Sequence, residues 1–189
     1  MNPTPRKLEI ITIASALFKD RGFSAVTMRD IAKAMGIKAA SLYNHIKNKE
    51  EILTFIIISL AEEFINGIDE IKEENNTCID KLKKIIALHV DIATRNTNGM
   101  ASLNNDWMHL KDQLDYYLSL RVNYEDTFRT IINEGIKKNE IKSINSDIML
   151  FSILSTLRSL YIWIPQKEDM NSSLLATKLS EVLLKGINK

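Results

Sequence analysis

One cysteine, six glycines and three prolines are all that occur in 189 residues. A lone thiol, Cys78, closes no intramolecular disulfide, and no Cys/His group has the spacing of a zinc site. Two of the prolines, Pro3 and Pro5, precede residue 6, so the interior is nearly free of helix breakers. An all-β sandwich, which turns about every ten residues, is excluded. With 45% hydrophobic and 26% charged residues the chain is neither disordered nor collagen-like. The longest apolar run, Ile52 to Ala61, falls well short of the roughly 20 residues that cross a bilayer and reads as a buried helix. Arg6 and Lys7 ahead of Leu8 to Phe18 imitate the start of a signal peptide. Glu9, Thr12 and Ser15 interrupt that stretch, however, and no small-residue cleavage site follows. The expectation is therefore no secretion, no membrane partner and a reducing cytoplasm.

What the chain does have is an uneven distribution of charge. Overall, 25 basic residues nearly balance 24 acidic ones. Residues 1–50 nevertheless carry nine basic side chains (Arg6, Lys7, Lys19, Arg21, Arg29, Lys33, Lys38, Lys47, Lys49) and four acidic ones (Glu9, Asp20, Asp30, Glu50), a net +5, which leaves −4 for the rest. A basic head on an acidic body suits a head that meets a polyanion, although a solvated face gives the same count.

Helical periodicity runs nearly from end to end. Leu8, Ile11, Ser15 and Phe18 mark a first helix that stops at Arg21-Gly22. Thr27 caps a second over Met28 to Ala34, Met35-Gly36-Ile37 breaks it, and a third follows over about 39–45. Asn48 caps a fourth that runs toward Lys72 and is apolar nearly all round. Further helices are predicted over about 77–95, 100–109, 110–138 with room for a kink near Arg121, and 147–164 closed by Pro165. A last helix starts at Ser172 or Ser173, with Leu175, Leu179, Val182, Leu183 and Ile187 on one side. The fold class is all-α, with about nine helices.

Helix, glycine turn, helix is the helix-turn-helix pattern. Ile31, Ala32, Met35, Ile37, Leu42 and Ile46 fit a compact three-helix core, which leaves Lys38, Ala39, Ala40, Ser41, Tyr43 and Asn44 outside. Short side chains admit a helix to the major groove, Ser41 and Asn44 can bond base edges, and Lys38 reaches guanine or phosphate. Thr27, Tyr43, His45 and Lys49 fall where phosphate contacts are expected, two of them beside helix N-termini.

This segment resembles the DNA-binding domain of the TetR family of transcriptional repressors. The resemblance rests on Gly22, Phe23, Thr27, Ile31, Ala32, Gly36, Ile37, Leu42, Tyr43, His45 and Lys49, and covers about residues 8–53. Ala40 departs from the glycine common at that position, which alters close approach to DNA without abolishing it. The resemblance implies a helix-turn-helix domain over residues 1–50 and a helical ligand-binding and dimerisation domain over 51–189. It also implies a homodimer paired through its last two helices, and a pseudopalindromic operator of double-stranded DNA from which a small-molecule effector releases the protein. Ile148, Phe151, Leu154, Ser155, Leu160, Leu175, Leu179 and Leu183 offer the apolar and small side chains of such an interface, or else fill a monomer core. An adaptor or ligand-storage protein with a vestigial helix-turn-helix is the alternative.

Trp107, Tyr124, Phe128 and Trp163 either line a ligand pocket or are plain core, and Arg121 and Arg158, with Arg95, either pair with carboxylates or face an anionic ligand. Their arrangement resembles the branch of the family that senses acyl-CoA thioesters; a cationic or neutral apolar effector is the rival. His89 with Asp91 and Asp106 with His109 are better read as locally bonded histidines than as metal pairs. No phosphate loop, nucleophile elbow or HExxH motif occurs, so neither an enzyme nor a cofactor is expected.

Overall fold

The computed structural model describes residues 3–167 and 171–186. It is helical throughout, with no strand among the described residues. Its α-helices are α1 (Pro5–Arg21), α2 (Met28–Ala34), α3 (Ala39–Tyr43), α4 (Lys49–Glu73), α5 (Cys78–Arg95), α6 (Thr97–Asn105), α7 (Leu114–Lys137), α8 (Ser146–Arg158), α9 (Leu160–Trp163) and α10 (Ser172–Lys185). Only Ser159 separates α8 from α9, and residues 146–166 run as one helical stretch, so the count among the described residues reduces to the nine expected. Ile187, expected on the apolar side of the last helix, lies outside the described residues.

The chain divides into two compact units. The first takes in the chain up to Ala61 together with Asn98–Tyr117; the second holds Glu62–Thr97 and the chain from Leu118 onward. In the first unit α1 buries Ile10, Ala14 and Phe18, and ends at Gly22, whose φ of +79° is open to glycine at little cost and whose N–H bonds the Phe18 carbonyl at 2.8 Å. Thr27 and Asp30 form a reciprocal capping box at the start of α2. Gly36 makes the turn at φ +67°.

Helices of seven and five residues are too short to persist alone. They are held because Ile31, Ala32, Leu42 and Ile46 are each no more than 2% exposed, and each of the larger three side chains contributes about 1.5–3 kcal/mol on burial. α3 ends at Tyr43 rather than His45 because the N–H groups of both His45 and Ile46 return to the Leu42 carbonyl, tightening the last turn and carrying Ile46 inward.

In the second unit α5 turns Leu82, Ile85, Ile86, His89, Val90 and Ala93 inward and packs against α8, α9 and α10. α7 begins at Leu114, later than its apolar pattern suggests, because residues 107–109 and 111–113 form separate 3-10 turns with Lys111 at φ +47°. It then runs unbroken past Arg121, where nothing in the sequence supplies a proline or glycine to kink it. Gly135, near its end, sits against α5: a Cβ there would lie 2.9 Å from the Cys78 Cβ and 2.5 Å from the Ile141 Cδ1. Gly135→Ala is therefore expected to lower stability by about 1–3 kcal/mol in thermal melts, whereas the same change in an unobstructed helix raises it.

Candidate functional site

The surface expected to meet a polyanion is built by the packing of α2 and α3. With Leu42 buried on the inner side of α3, Lys38, Ser41, Tyr43, Asn44 and His45 are left exposed, Tyr43 by 55%, and Ala39 is half-buried. Thr27 is exposed at the start of α2, its hydroxyl accepting from the Asp30 N–H and donating to the Asp30 carboxylate. The Asp30 carboxyl sits below its ordinary range, chiefly through the hydrogen bonds that the Thr27 hydroxyl and backbone N–H donate to it.

Lys49 behaves differently. Its ammonium donates to the carbonyls of Phe23 and Val26 at 2.8 Å and of Ser24 at 3.3 Å, and lies 4.4 Å from the centre of the Phe23 ring. An ammonium has three hydrogens, and all three are committed here. Lys49 thus ties the turn that delivers Thr27 to α2, and a phosphate contact from it would require one of these bonds to be given up.

Lys7 and Lys47 converge on Glu51: the Lys7 ammonium donates to one carboxylate oxygen at 2.7 Å and the Lys47 backbone N–H to the other at 2.8 Å. Asn48 Oδ1 accepts from the Glu51 N–H at 2.8 Å, the cap expected for α4. Trp107 belongs to this first unit, where it stacks on Tyr117 with ring centres 6.0 Å apart.

The other aromatic and arginine candidates lie in the second unit. Tyr124 and Phe128 are buried, with Phe128 fully enclosed. Arg121 and Arg158 resolve toward pairing: both donate to Glu125 Oε1, at 3.2 and 2.6 Å. Burial pushes the Glu125 carboxyl up, but the two guanidinium bonds outweigh it and hold the group below its ordinary range. One carboxylate between two arginines leaves a net positive charge at this half-exposed spot. Arg95 likewise pairs, with Asp91 and Glu63. Trp163 stands 38% exposed, with Lys167 Nζ 5.5 Å from the centre of its ring, rather than among the buried rings.

Sequence reasoning missed the partner of His89. Its neighbour along the helix, Asp91, bonds Arg95 instead, while His89 Nε2 lies 2.8 Å from the Tyr124 hydroxyl, 35 positions away. Phe64 packs on both rings, with centres 4.5 Å from His89 and 5.9 Å from Tyr124. Burial, aided by the Arg158 charge, pulls the imidazole down to about 3, so it is neutral at physiological pH. His109, the other candidate histidine, packs against the Phe23 ring at 5.1 Å in the first unit.

A basic-headed helix-turn-helix with a small-residue recognition face defines the class of DNA-binding modules. Residues 10–54 match the model of bacterial regulatory proteins of the tetR family, and residues 75–187 match that of the tetracyclin repressor-like C-terminal domain. The chain belongs to the TetR family and is a DNA-binding transcriptional regulator, not an enzyme. The adaptor alternative is not favoured. Members of the family bind DNA operators and small-molecule effectors, typically as dimers.

Among its relatives, the chain is 25% identical over 140 residues to the HTH-type transcriptional repressor KstR2 of Rhodococcus jostii, covering 73% of this chain and 69% of that protein. It is 25% identical over 193 residues to the fatty acid metabolism regulator protein of Bacillus subtilis, covering 97% of this chain and 96% of that one. The fold matches the solved structure of the ketosteroid transcriptional regulator KstR2 of Mycobacterium tuberculosis with a TM-score of 0.90 at 20% identity, covering 100% of this chain and 97% of that one.

Two expectations follow for the isolated protein. Lys49→Met bares three carbonyls and should lower stability by about 1–3 kcal/mol, whereas Lys38→Ala, on the open face, should leave the melting temperature unchanged. His89 is protonated more readily in the unfolded chain, with an ordinary value of 6.5, than in the folded one, at about 3. Its contribution to stability is therefore level above pH 6.5 and falls as pH drops from there toward 3, by up to about 1.4 kcal/mol per unit. His89→Leu should remove that share of the acid slope in chemical denaturation measured from pH 7 to 4.

Proposed function

We infer that the chain acts in the cytoplasm as a homodimeric repressor, released from a pseudopalindromic operator by a small apolar or acyl-CoA-like effector. The observation that carries the DNA half of this reading is the exposed row of Lys38, Ser41, Tyr43, Asn44 and His45 held out by a buried Leu42. Lys38, Ser41 and Asn44 read base edges, with Ala39 allowing close approach; Tyr43 and His45 position the backbone, and Thr27, whose hydroxyl and N–H both donate to Asp30, joins them by giving up one of those bonds. Lys49 supports them from within. The functional division is a DNA-binding domain over residues 1–50 and an effector and dimerisation domain over 51–189.

The exposed apolar stripe of α8 and α9 supports a second copy as the partner: Ile148 is 60%, Phe151 73% and Ile162 55% exposed, with Ser155 and Ser159 between them. Val182 of α10 is 51% exposed. Small and apolar side chains on one line let two helices approach closely and bury the stripe. The same stretch, residues 146–166, is long and apolar enough to span a bilayer by length and composition, and only 33% of its apolar part is buried. A partner helix would cover what is left.

For the effector, Tyr124 and Phe128 supply an apolar wall, and Arg121 and Arg158 around Glu125 leave one net positive charge for an anionic group. The name of the Bacillus subtilis relative favours a fatty acyl ligand over the cationic rival. α4 contributes residues to both units, so a displacement of its second half is carried along a stiff helix to its first.

The test is fluorescence anisotropy on DNA from upstream of the protein's own gene, with excess competitor DNA and a panel of acyl-CoAs. Specific binding released by one member is expected. Tyr43→Ala should weaken binding to all sequences alike and leave the salt dependence unchanged, because an uncharged hydroxyl releases no counterion. Bound operator should reduce effector affinity by the same factor as effector reduces operator affinity, and equal effector affinity with and without operator would contradict release by effector.

A further inference from the structure

His89 and Tyr124 are 4% and 7% exposed and come from α5 and α7 of the second unit. Phe64 lies over both rings, and Phe128 meets Tyr124 edge to face with centres 6.4 Å apart. In this apolar surround Nε2 of His89 bonds the Tyr124 hydroxyl, and Nδ1 of His89 has no protein partner.

The hydrogens can be counted. A neutral imidazole carries one N–H and a phenol one O–H. If the hydroxyl donates to Nε2, the imidazole hydrogen sits on Nδ1 and meets nothing. If Nε2 donates to the hydroxyl oxygen, the phenol hydrogen is the one left over. In either tautomer the pair has one more donor hydrogen than it has protein acceptors to use. An unmatched buried donor is unfavourable, and a core that needed only apolar filling would be served as well by leucine and phenylalanine.

We propose that His89 and Tyr124 form a single-donor site for a neutral oxygen, such as the carbonyl of a thioester, ester or ketone, carried inside the apolar body of the effector. A carboxylate fits less well, because one donor among aromatic rings does not replace its hydration. The two candidate residues thus divide: one of them donates to the ligand, and the other fixes the tautomer from which it donates.

This inference rests on the second unit being the effector-binding unit, and the experiment separates the two. The intact protein is titrated by calorimetry with lauroyl-CoA and with S-dodecyl-CoA, which differ in a carbonyl replaced by a methylene. Wild type should bind the thioester about tenfold more tightly than the thioether. The double variant His89→Leu/Tyr124→Phe, which keeps an apolar core and removes both polar groups, should bind the two alike.

Equal binding of the pair by wild type, or a tenfold preference that survives in the double variant, overturns the site. If neither CoA compound binds, the acyl-CoA reading fails by itself, and the site is decided with dodecan-2-one against dodecane, read as thermal stabilisation. A preference for the ketone that the double variant loses upholds the site; no preference overturns it. A water held in the native protein by the same donor predicts no preference in either pair, so that outcome also falls against the proposal.

Discussion

Seven residues of α2 and five of α3 do not make stable helices, so everything the first unit presents to solvent depends on the contact between them. Ile31 and Ala32 on one side and Leu42 and Ile46 on the other are buried together, and Gly36 supplies the turn that brings them there. Once Leu42 points inward, geometry leaves Lys38, Ser41, Tyr43, Asn44 and His45 on the outside of α3. The exposed side of α3 is a by-product of the core. The half-buried Lys49 ammonium extends the same logic, because its bonds to three carbonyls make one tie that fixes where α2 starts.

The second unit is ordered by a different balance. Its interior is dominated by aliphatic side chains of α5 and aromatic rings of α7, and into that apolar setting it admits His89 and the Tyr124 hydroxyl, bonded to each other. Desolvation keeps the imidazole neutral and raises the phenol above its ordinary value, so neither group titrates near neutral pH. The charged residues are treated in the opposite way: Arg95, Arg121 and Arg158 are all partly solvated, Arg95 bonded to two carboxylates and the other two sharing one. Polarity in the core is thus hydrogen bonding without charge, and charge is kept to the rim.

Much of this was legible in the residues. Thr27 and Asn48 announced helix starts because an N-cap is local chemistry, and each does accept from an N–H group of its first turn. The identities and spacing of Gly22 through Lys49 carried the family. What did not show was long-range. That residues 98–117 join the first unit, and that His89 meets Tyr124 rather than its helical neighbour Asp91, depends on the packing of elements far apart in the chain. Lys49 looked like a surface cation because nothing in a linear sequence says that three carbonyls converge on it. The breaks at residues 107–113 were hidden for a further reason: an apolar pattern continues through 3-10 turns as well as through an α-helix.

The central claim is that the outer face of α3 reads DNA, two copies at a time. Hydroxyl-radical footprinting on a specifically bound upstream fragment tests it most directly. The account predicts two protected patches on one face of the duplex, separated by about one helical turn or a multiple of it, both lost together in Ser41→Glu. A single short patch, even protection along the fragment, or an unchanged footprint in that variant would contradict it.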